Sequence, residues 1–314
     1  MVYTVTLNPA LDYVVSTDSL RSGEMNRASS AQIQFGGKGI NVSAMLRTLG
    51  VDSVALGFTA GFTGKELESR LRGCGIRTDF VWLKTGQTRI NVKVKAKGES
   101  GEIEETEINA SGPDIPMQAL EALLQKLGSL ASGDVLVLAG SIPGTLPGDV
   151  YQRILQRIDG RGVLTVVDAE GSLLLNALAY RPFLVKPNHI ELGALFGRTL
   201  EKDEEILACA HELQSRGARN VLVSMAGDGS LLLDETGVHR RIPGLKGDVR
   251  NSVGAGDSMV AGFLAGWLDS GDYEVAHMLG TAAATATAFS NGLATRGEIR
   301  EIIWNSRSYF RALL

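Results

Sequence analysis

Short runs of β-branched and aliphatic residues alternate with helix-periodic stretches along most of the chain, and this alternation restricts the fold more than any other feature. Strand-like runs stand at 3–7, 53–57, 135–139, 164–168, 183–186 and 220–224. Between them lie apolar stripes at i, i+3, i+4 and i+7, such as Leu120, Leu123, Leu124 and Leu127, the spacing that turns one helix face toward a core. Parallel strands need long crossovers, and helices supply them. The pattern therefore predicts an α/β protein with a mostly parallel central sheet covered by helices on both faces.

Two segments depart from the alternation. Residues near 13–35 and 88–108 read as strands with no helix between them. In the second, Ile90, Val92, Val94 and Ala96 alternate with Arg89, Asn91, Lys93 and Lys95, and Gly98, Glu99, Ser100 and Gly101 supply a turn before a strand at 102–108. A strand pair with one polar face, inserted into an α/β domain, predicts a lid over a site or an interface, and an edge hairpin packed on the main sheet is the alternative. The expected organisation is one domain over 1–314, with lid strands inserted at about 12–35 and 88–110.

Composition narrows the class of function. With 44% apolar and 21% charged residues the chain can bury a core, and a net charge of −4 gives no reason to expect a nucleic-acid partner. Cys74 and Cys209 have no metal-like spacing and fit two free thiols in a reducing compartment. No basic leader opens the sequence and no apolar run nears the ~20 residues of a membrane span, so a cytoplasmic protein without membrane contact is expected. The 38 glycines are many, and in alternating α/β chains glycines collect in turns that approach a ligand.

Four of those turns carry chemistry. Val260, Phe263, Leu264 and Trp267 mark a helix whose N-terminus falls at Gly254, Ala255 and Gly256, where bare backbone N–H groups and the helix dipole can hold an anion. Asp257 sits in the same first turn, close enough to take a proton from an attacking hydroxyl; an ordinary helix-start charge is the alternative. Gly36, Gly37, Lys38, Gly39, Ile40 and Asn41 open a second glycine-rich helix start, where Lys38 can meet a phosphate and Asn41 a hydroxyl, or the lysine can be merely solvated. After a predicted strand, Lys186 precedes Asn188 and Glu191, which share a helix face and could either support the water shell of Mg²⁺ or form a capping box. His189 between them reads as a surface or packing residue. The fourth turn, from Ser224 through Gly227 to Gly229, can touch a nucleotide. No G-x-G-x-x-G follows the first strand, which argues against a dinucleotide-binding oxidoreductase.

Taken together and in this order, the four motifs resemble the ribokinase-like sugar kinases of the PfkB family. The resemblance implies a three-layer α/β/α sandwich with a small β-sheet lid, and ATP bound with its phosphates at Gly254, Ala255 and Gly256. It also implies that Asp257 is the base, that Asn188 and Glu191 support Mg²⁺ through water, and that Lys186, Asn188, Ser224, Gly227 and Gly229 line the nucleotide site, with Asn291 toward the adenine. Segments 6–12, 88–93 and 105–109 resemble the branch of the family that acts on fructose 1-phosphate. By that likeness Gly37, Asn41 and Asp12 meet the sugar, Asp12 taking its hydroxyls, while Lys38 and Arg89 grip its phosphate and Asn91 shares the polar face with Arg89. Phe35 and Ser252 stand where proline and threonine are usual, which bears on loop geometry and removes no catalytic group.

The expected reaction is ATP-dependent phosphorylation of the C6 hydroxyl of fructose 1-phosphate, with a homodimer through the lid as a further expectation. A kinase of tagatose 6-phosphate or fructose 6-phosphate, or a non-catalytic sugar-phosphate-binding protein, are the alternatives.

Overall fold

The computed structural model describes residues 1–98 and 102–311, so the expected turn residues Glu99, Ser100 and Gly101 lie outside the described residues. In chain order the elements are β1 (Val2–Thr6), β2 (Ala10–Ser16), β3 (Ser30–Gly36), α1 (Lys38–Leu49), β4 (Ser53–Ala60), α2 (Gly61–Gly73), β5 (Arg77–Thr78), β6 (Val81–Leu83), β7 (Arg89–Lys97) and β8 (Ile103–Asn109). They continue with α3 (Met117–Leu127), β9 (Val135–Ala139), α4 (Val150–Ile158), β10 (Leu164–Asp168), α5 (Gly171–Ala177), β11 (Leu184–Val185), α6 (His189–Leu195) and α7 (Asp203–Ser215). The last are β12 (Asn220–Ser224), β13 (Gly229–Leu233), β14 (His239–Pro243), α8 (Ala255–Ser270), α9 (Tyr273–Phe289) and α10 (Arg296–Asn305).

The large sheet runs β14-β13-β12-β11-β10-β9-β1-β4-β5, with β6 also paired to β4. From β12 to β5 every pairing is parallel, and the β12, β13 and β14 edge is antiparallel. Its strands alternate between two buried faces, which is why they read as continuous apolar runs. In β9, Leu136 and Leu138 meet Leu120, Leu123 and Leu127 of α3 and Ile154 of α4, while Val135 and Val137 pack with Met45 of α1 and Val260 and Phe263 of α8. Helices α3, α4, α5, α6 and α7 thus cover one face, and α1, α8, α9 and α10 the other. The expected strand at 183–186 shortens to Leu184–Val185, followed directly by the site segment.

The second sheet has the order β3-β2-β7-β8. Each sequence insertion supplies two strands, and β2 and β7 join them in parallel. The 88–108 segment is therefore half of a separate four-stranded sheet rather than an edge hairpin on the main sheet. Local alternation reveals strands, but only the long-range pairing of Asp12 with Asn91 and its neighbours assembles them.

The strand order reverses beside β1, with β4 on one flank and β9 on the other. At such a switch point the connections leave in opposite directions and open a crevice at the carboxyl ends of the strands. Asn8, Ser141, Asp168, Lys186 and Ser224 all lie at or just past those ends, and all line one cleft.

Candidate active site

The cleft has a volume of about 1320 Å³, above the usual range for a single small ligand, which leaves space for two. One wall is the small sheet, the floor is the switch point, and the other end is closed by α8, α9 and the segment after β14.

The helix start expected at 254–256 is present. Gly254 caps α8 with φ 81°, a left-handed conformation that favours glycine, and a Cβ there would stand 2.7 Å from Leu293 Cδ2. A Cβ on Gly256 would come within 3.2 Å of Lys186 Nζ. The Ala255 N–H donates to the Ser252 carbonyl at a long 3.3 Å, and Gly254, Ala255 and Gly256 line the cleft at the N-terminus of α8, where the helix's own carbonyls cannot pair its first amides.

Asp257, in that first turn, is 5% exposed and accepts a 2.8 Å hydrogen bond on Oδ2 from Asn41 Nδ2. Two helix starts distant in sequence, of α1 and α8, are joined by this bond. Burial, followed by the negative charge of Asp168, pushes the Asp257 carboxyl up to about 6; Asn41, Lys38 and Lys186 pull the other way. A carboxylate tuned to this range has the basicity that proton abstraction near neutral pH requires.

Asp168 is the residue that sequence reasoning passed over. It ends β10, is 1% exposed, and its Oδ1 lies 3.4 Å from both Lys38 Nζ and Lys186 Nζ. Its Oδ2 is buried with no hydrogen-bond partner among the described residues. A carboxylate at the carboxyl end of a central parallel strand was the available signal. Burial opposes the charge of Lys38, yet Asp168, Asp257, Glu191 and Glu170 together hold its pKa above the ordinary value. The two lysines thus meet at one carboxylate oxygen.

Asn188 and Glu191 form the capping box of α6: Asn188 Oδ1 accepts from the Glu191 N–H at 2.7 Å, and Glu191 Oε2 accepts from the Asn188 N–H at 2.8 Å. The box fixes both side chains at the cleft, where burial raises the Glu191 pKa despite the Asn188 hydrogen bond and the nearby lysines. The capping box is present, and both of its residues line the cleft. His189 is half-buried beside them.

Ser224, Gly227 and Gly229 line the far end of the cleft, opposite Thr281, Ala284, Thr285 and Ala288 of α9. The α9 residues at that end are small, apart from Phe289 at its last turn. Asn291, expected toward the adenine, is exposed and outside the cleft lining. It follows the end of α9 at Phe289, two residues past the last cleft-lining position of that helix.

On the small sheet, Asp12, Arg89 and Asn91 face the cleft with Gly37 and Lys38 below. Arg89 donates from Nε to the Asn8 carbonyl at 3.2 Å and from Nη1 to the Ala110 carbonyl at 3.4 Å. Those two bonds anchor the guanidinium and leave further N–H donors for an anion. Burial lowers the Arg89 pKa and Asp12 offsets part of this.

A cleft with a buried carboxylate at a helix N-terminus, a small sheet along one wall and room for two ligands fits the construction of a small-molecule kinase. The model of the pfkB family of carbohydrate kinases matches residues 5–299, and the chain belongs to that family. Among its relatives, the 1-phosphofructokinase of Bacillus subtilis (strain 168) is 45% identical over 304 residues, covering 96% of this chain and 97% of the relative. The D-tagatose-1-phosphate kinase of Bacillus licheniformis is 37% identical, covering 93% of this chain and 94% of the relative. Among solved structures, phosphofructokinase-2 of Escherichia coli in complex with fructose-6-phosphate superposes with a TM-score of 0.87 at 28% identity, covering 97% and 98% of the two chains. The fold is ribokinase-like, and the small sheet is its lid. As a member of a kinase family the chain uses ATP as phosphate donor.

Proposed function

We propose that this chain transfers the γ-phosphoryl group of ATP to the free C6 hydroxyl of fructose 1-phosphate, giving fructose 1,6-bisphosphate and ADP. The observation that carries the reading is the buried Asp257, held by Asn41 beside the amides of Gly254, Ala255 and Gly256. Asp257 takes the proton of the C6 hydroxyl as its oxygen attacks, while the helix-start amides and Lys186 hold the charge that spreads over the migrating phosphoryl group. Phosphoryl transfer asks mainly for alignment, and the 1-phosphate, gripped by Arg89 and Lys38 away from the reacting hydroxyl, supplies binding energy for it. Asp12 and Asn91 meet the sugar hydroxyls from the lid of a single kinase domain, and Ser224, Gly227 and Gly229 border the nucleotide. The identity to the Bacillus subtilis relative supports fructose 1-phosphate as acceptor.

Mg²⁺ keeps most of its waters and needs few protein ligands, so no dense carboxylate cluster is required. The donor set fits: Glu191, with Asn188 through water, would hold it, and the unpartnered Asp168 Oδ2 adds an oxygen at the same end of the cleft. When bound, the ion would supply charge neutralisation to the phosphates.

A homodimer through the lid is part of the same reading. The register aligns Ile33, Tyr13, Val92 and Ile108 across all four strands on the face away from Asp12 and Asn91. Tyr13 is 40% and Ile108 64% exposed, an apolar row that a second copy would cover. No helix among the described residues is long and apolar enough to cross a membrane, and a cytoplasmic setting supplies both substrates. ADP release measured across C1- and C6-phosphorylated ketohexoses tests the proposal; fastest turnover of fructose 1-phosphate is expected, and no turnover of any of them would refute it.

A further inference from the structure

The inner face of the lid carries an ion cluster beyond the residues assigned to the sugar above. Lys93 is 8% exposed, and its ammonium lies 3.4 Å from Asp12 Oδ2 and 3.3 Å from Glu107 Oε1. The other oxygen of Asp12 accepts from Asn91 Nδ2 at 2.9 Å, and the other oxygen of Glu107 accepts from Asn109 Nδ2 at 3.1 Å. Sheet register produces the arrangement. Asp12 stands opposite Asn91 between β2 and β7, Lys93 opposite Glu107 between β7 and β8, and residues two apart share a face. Gly36 on β3 makes room, since a Cβ there would stand 2.7 Å from Asp12 Oδ1. One lysine therefore ties the outermost strand β8 to the carboxylate on β2.

Charge decides what Lys93 can do. Two carboxylates flank one ammonium, which leaves no net positive charge to grip a sugar phosphate, a task for which Arg89 stands nearby with free donors. Burial opposes the charged form of Lys93, but Asp12 and Glu107 outweigh it and keep the ammonium intact. Asp12 meanwhile has each oxygen held from a different side, by Lys93 and by Asn91, so its rotation is fixed. Asn91 Oδ1, lining the same cleft, is buried with no partner among the described residues. A clamped carboxylate beside an unmet buried acceptor is complementary to a row of hydroxyl donors.

We infer that Lys93 is a positioning residue for the acceptor sugar: through Asp12 it sets the orientation in which the lid meets the sugar hydroxyls, and Glu107 holds Lys93 in turn. The inference rests on the proposed sugar-phosphate kinase and on Asp12 as the hydroxyl-binding carboxylate. It makes β8, which bears no other assigned acceptor contact, part of acceptor recognition.

The test is a double-mutant cycle with fructose 1-phosphate and ATP, applied to the parent, Lys93→Met, Asp12→Asn and the double variant. Lys93→Arg, Glu107→Gln and thermal unfolding of every protein accompany it. Lys93→Met should lower kcat/KM for the sugar about 10- to 100-fold, the loss of roughly one charge-assisted hydrogen bond, with KM for ATP unchanged. Lys93→Arg should recover most of the loss, because a guanidinium can reach both carboxylates, and Glu107→Gln should lose less than Lys93→Met. In the Asp12→Asn background, Lys93→Met should cost less than about twofold more, as groups acting as a unit are not additive. Additive losses in the double variant, a parallel rise in KM for ATP, or losses that follow melting temperature alone would overturn the inference and leave Lys93 as a staple of the lid. An Asp12→Asn variant with the parent's sugar KM overturns it too, at Asp12. Failure of the kinase reading itself is distinguishable, because the parent would then turn over no phosphoketose.

Discussion

Replacing Asp257 by asparagine should move activity and stability in opposite directions. The Asp257 carboxyl rises from 3.8 to about 6 on folding, chiefly through burial and then through Asp168. A folded pKa above the unfolded value means that the native state binds the proton more tightly, so stability falls as pH rises from about 4 to about 6 and the full cost is present at pH 7.5. The difference corresponds to at most about 3 kcal/mol, at roughly 1.4 kcal/mol per pKa unit. Asparagine has the same shape without the charge, and its amide oxygen can still accept from Asn41. The variant should therefore be more stable than the parent by on the order of 1–3 kcal/mol at pH 7.5, with the gain vanishing near pH 4. It should also lose roughly 10²–10⁴ in kcat, about 3–5 kcal/mol of transition-state stabilisation, because it cannot take the proton. ATP affinity should barely change. Coupled ADP-release kinetics and urea unfolding at both pH values make the measurement. Turnover within a few fold of the parent would remove Asp257 as base; a less stable variant at pH 7.5 would show that Lys38 and Lys186 more than repay the buried charge, contrary to the electrostatic argument.

Four further outcomes follow from the same geometry. The acid limb of kcat/KM should fall below an apparent pKa near 6, since the ionised form of Asp257 is the active one, and Asp168→Asn should shift that limb to lower pH by removing a like charge; a limb unmoved in this variant would contradict the assignment. Arg89→Ala should raise KM for fructose 1-phosphate by about one to two orders of magnitude, leave KM for ATP in place, and narrow the preference for fructose 1-phosphate over fructose, all readable in steady-state kinetics. EDTA should abolish activity and Mg²⁺ restore it, with Glu191→Gln needing more Mg²⁺; a lower melting temperature with an unchanged Mg²⁺ titration would reduce Glu191 to its cap. Ile108→Glu should dissociate a lid-mediated dimer in size-exclusion chromatography with light scattering, and an unchanged mass would exclude that interface.

Much of the site was legible in advance because its parts are local. A glycine-rich helix start announces its bare amides through composition alone, and the N-terminal turn of α8 holds Gly254, Ala255, Gly256 and Asp257 together whatever the rest of the chain does. The same holds for Asn188 and Glu191, whose spacing fixes a capping box within a single turn. Asn291 was less legible for the complementary reason: a position just beyond a helix has no direction until the following loop turns, and the residue is exposed outside the cleft lining.

The sequence by itself determined the layered α/β class, the strand and helix runs, and the chemistry available in each turn, since periodicity and glycine placement act over a few residues. Only the tertiary structure decided which charges meet. Asn41 is bound to Asp257 across 216 positions, Lys38 and Lys186 share Asp168, and Lys93 joins two strands that local alternation left unpaired. Basicity at Asp257 and clamping at Asp12 arise from burial and from neighbours remote in the chain. Coulomb energies and desolvation depend on distances in space, and those exist only once the sheet has closed.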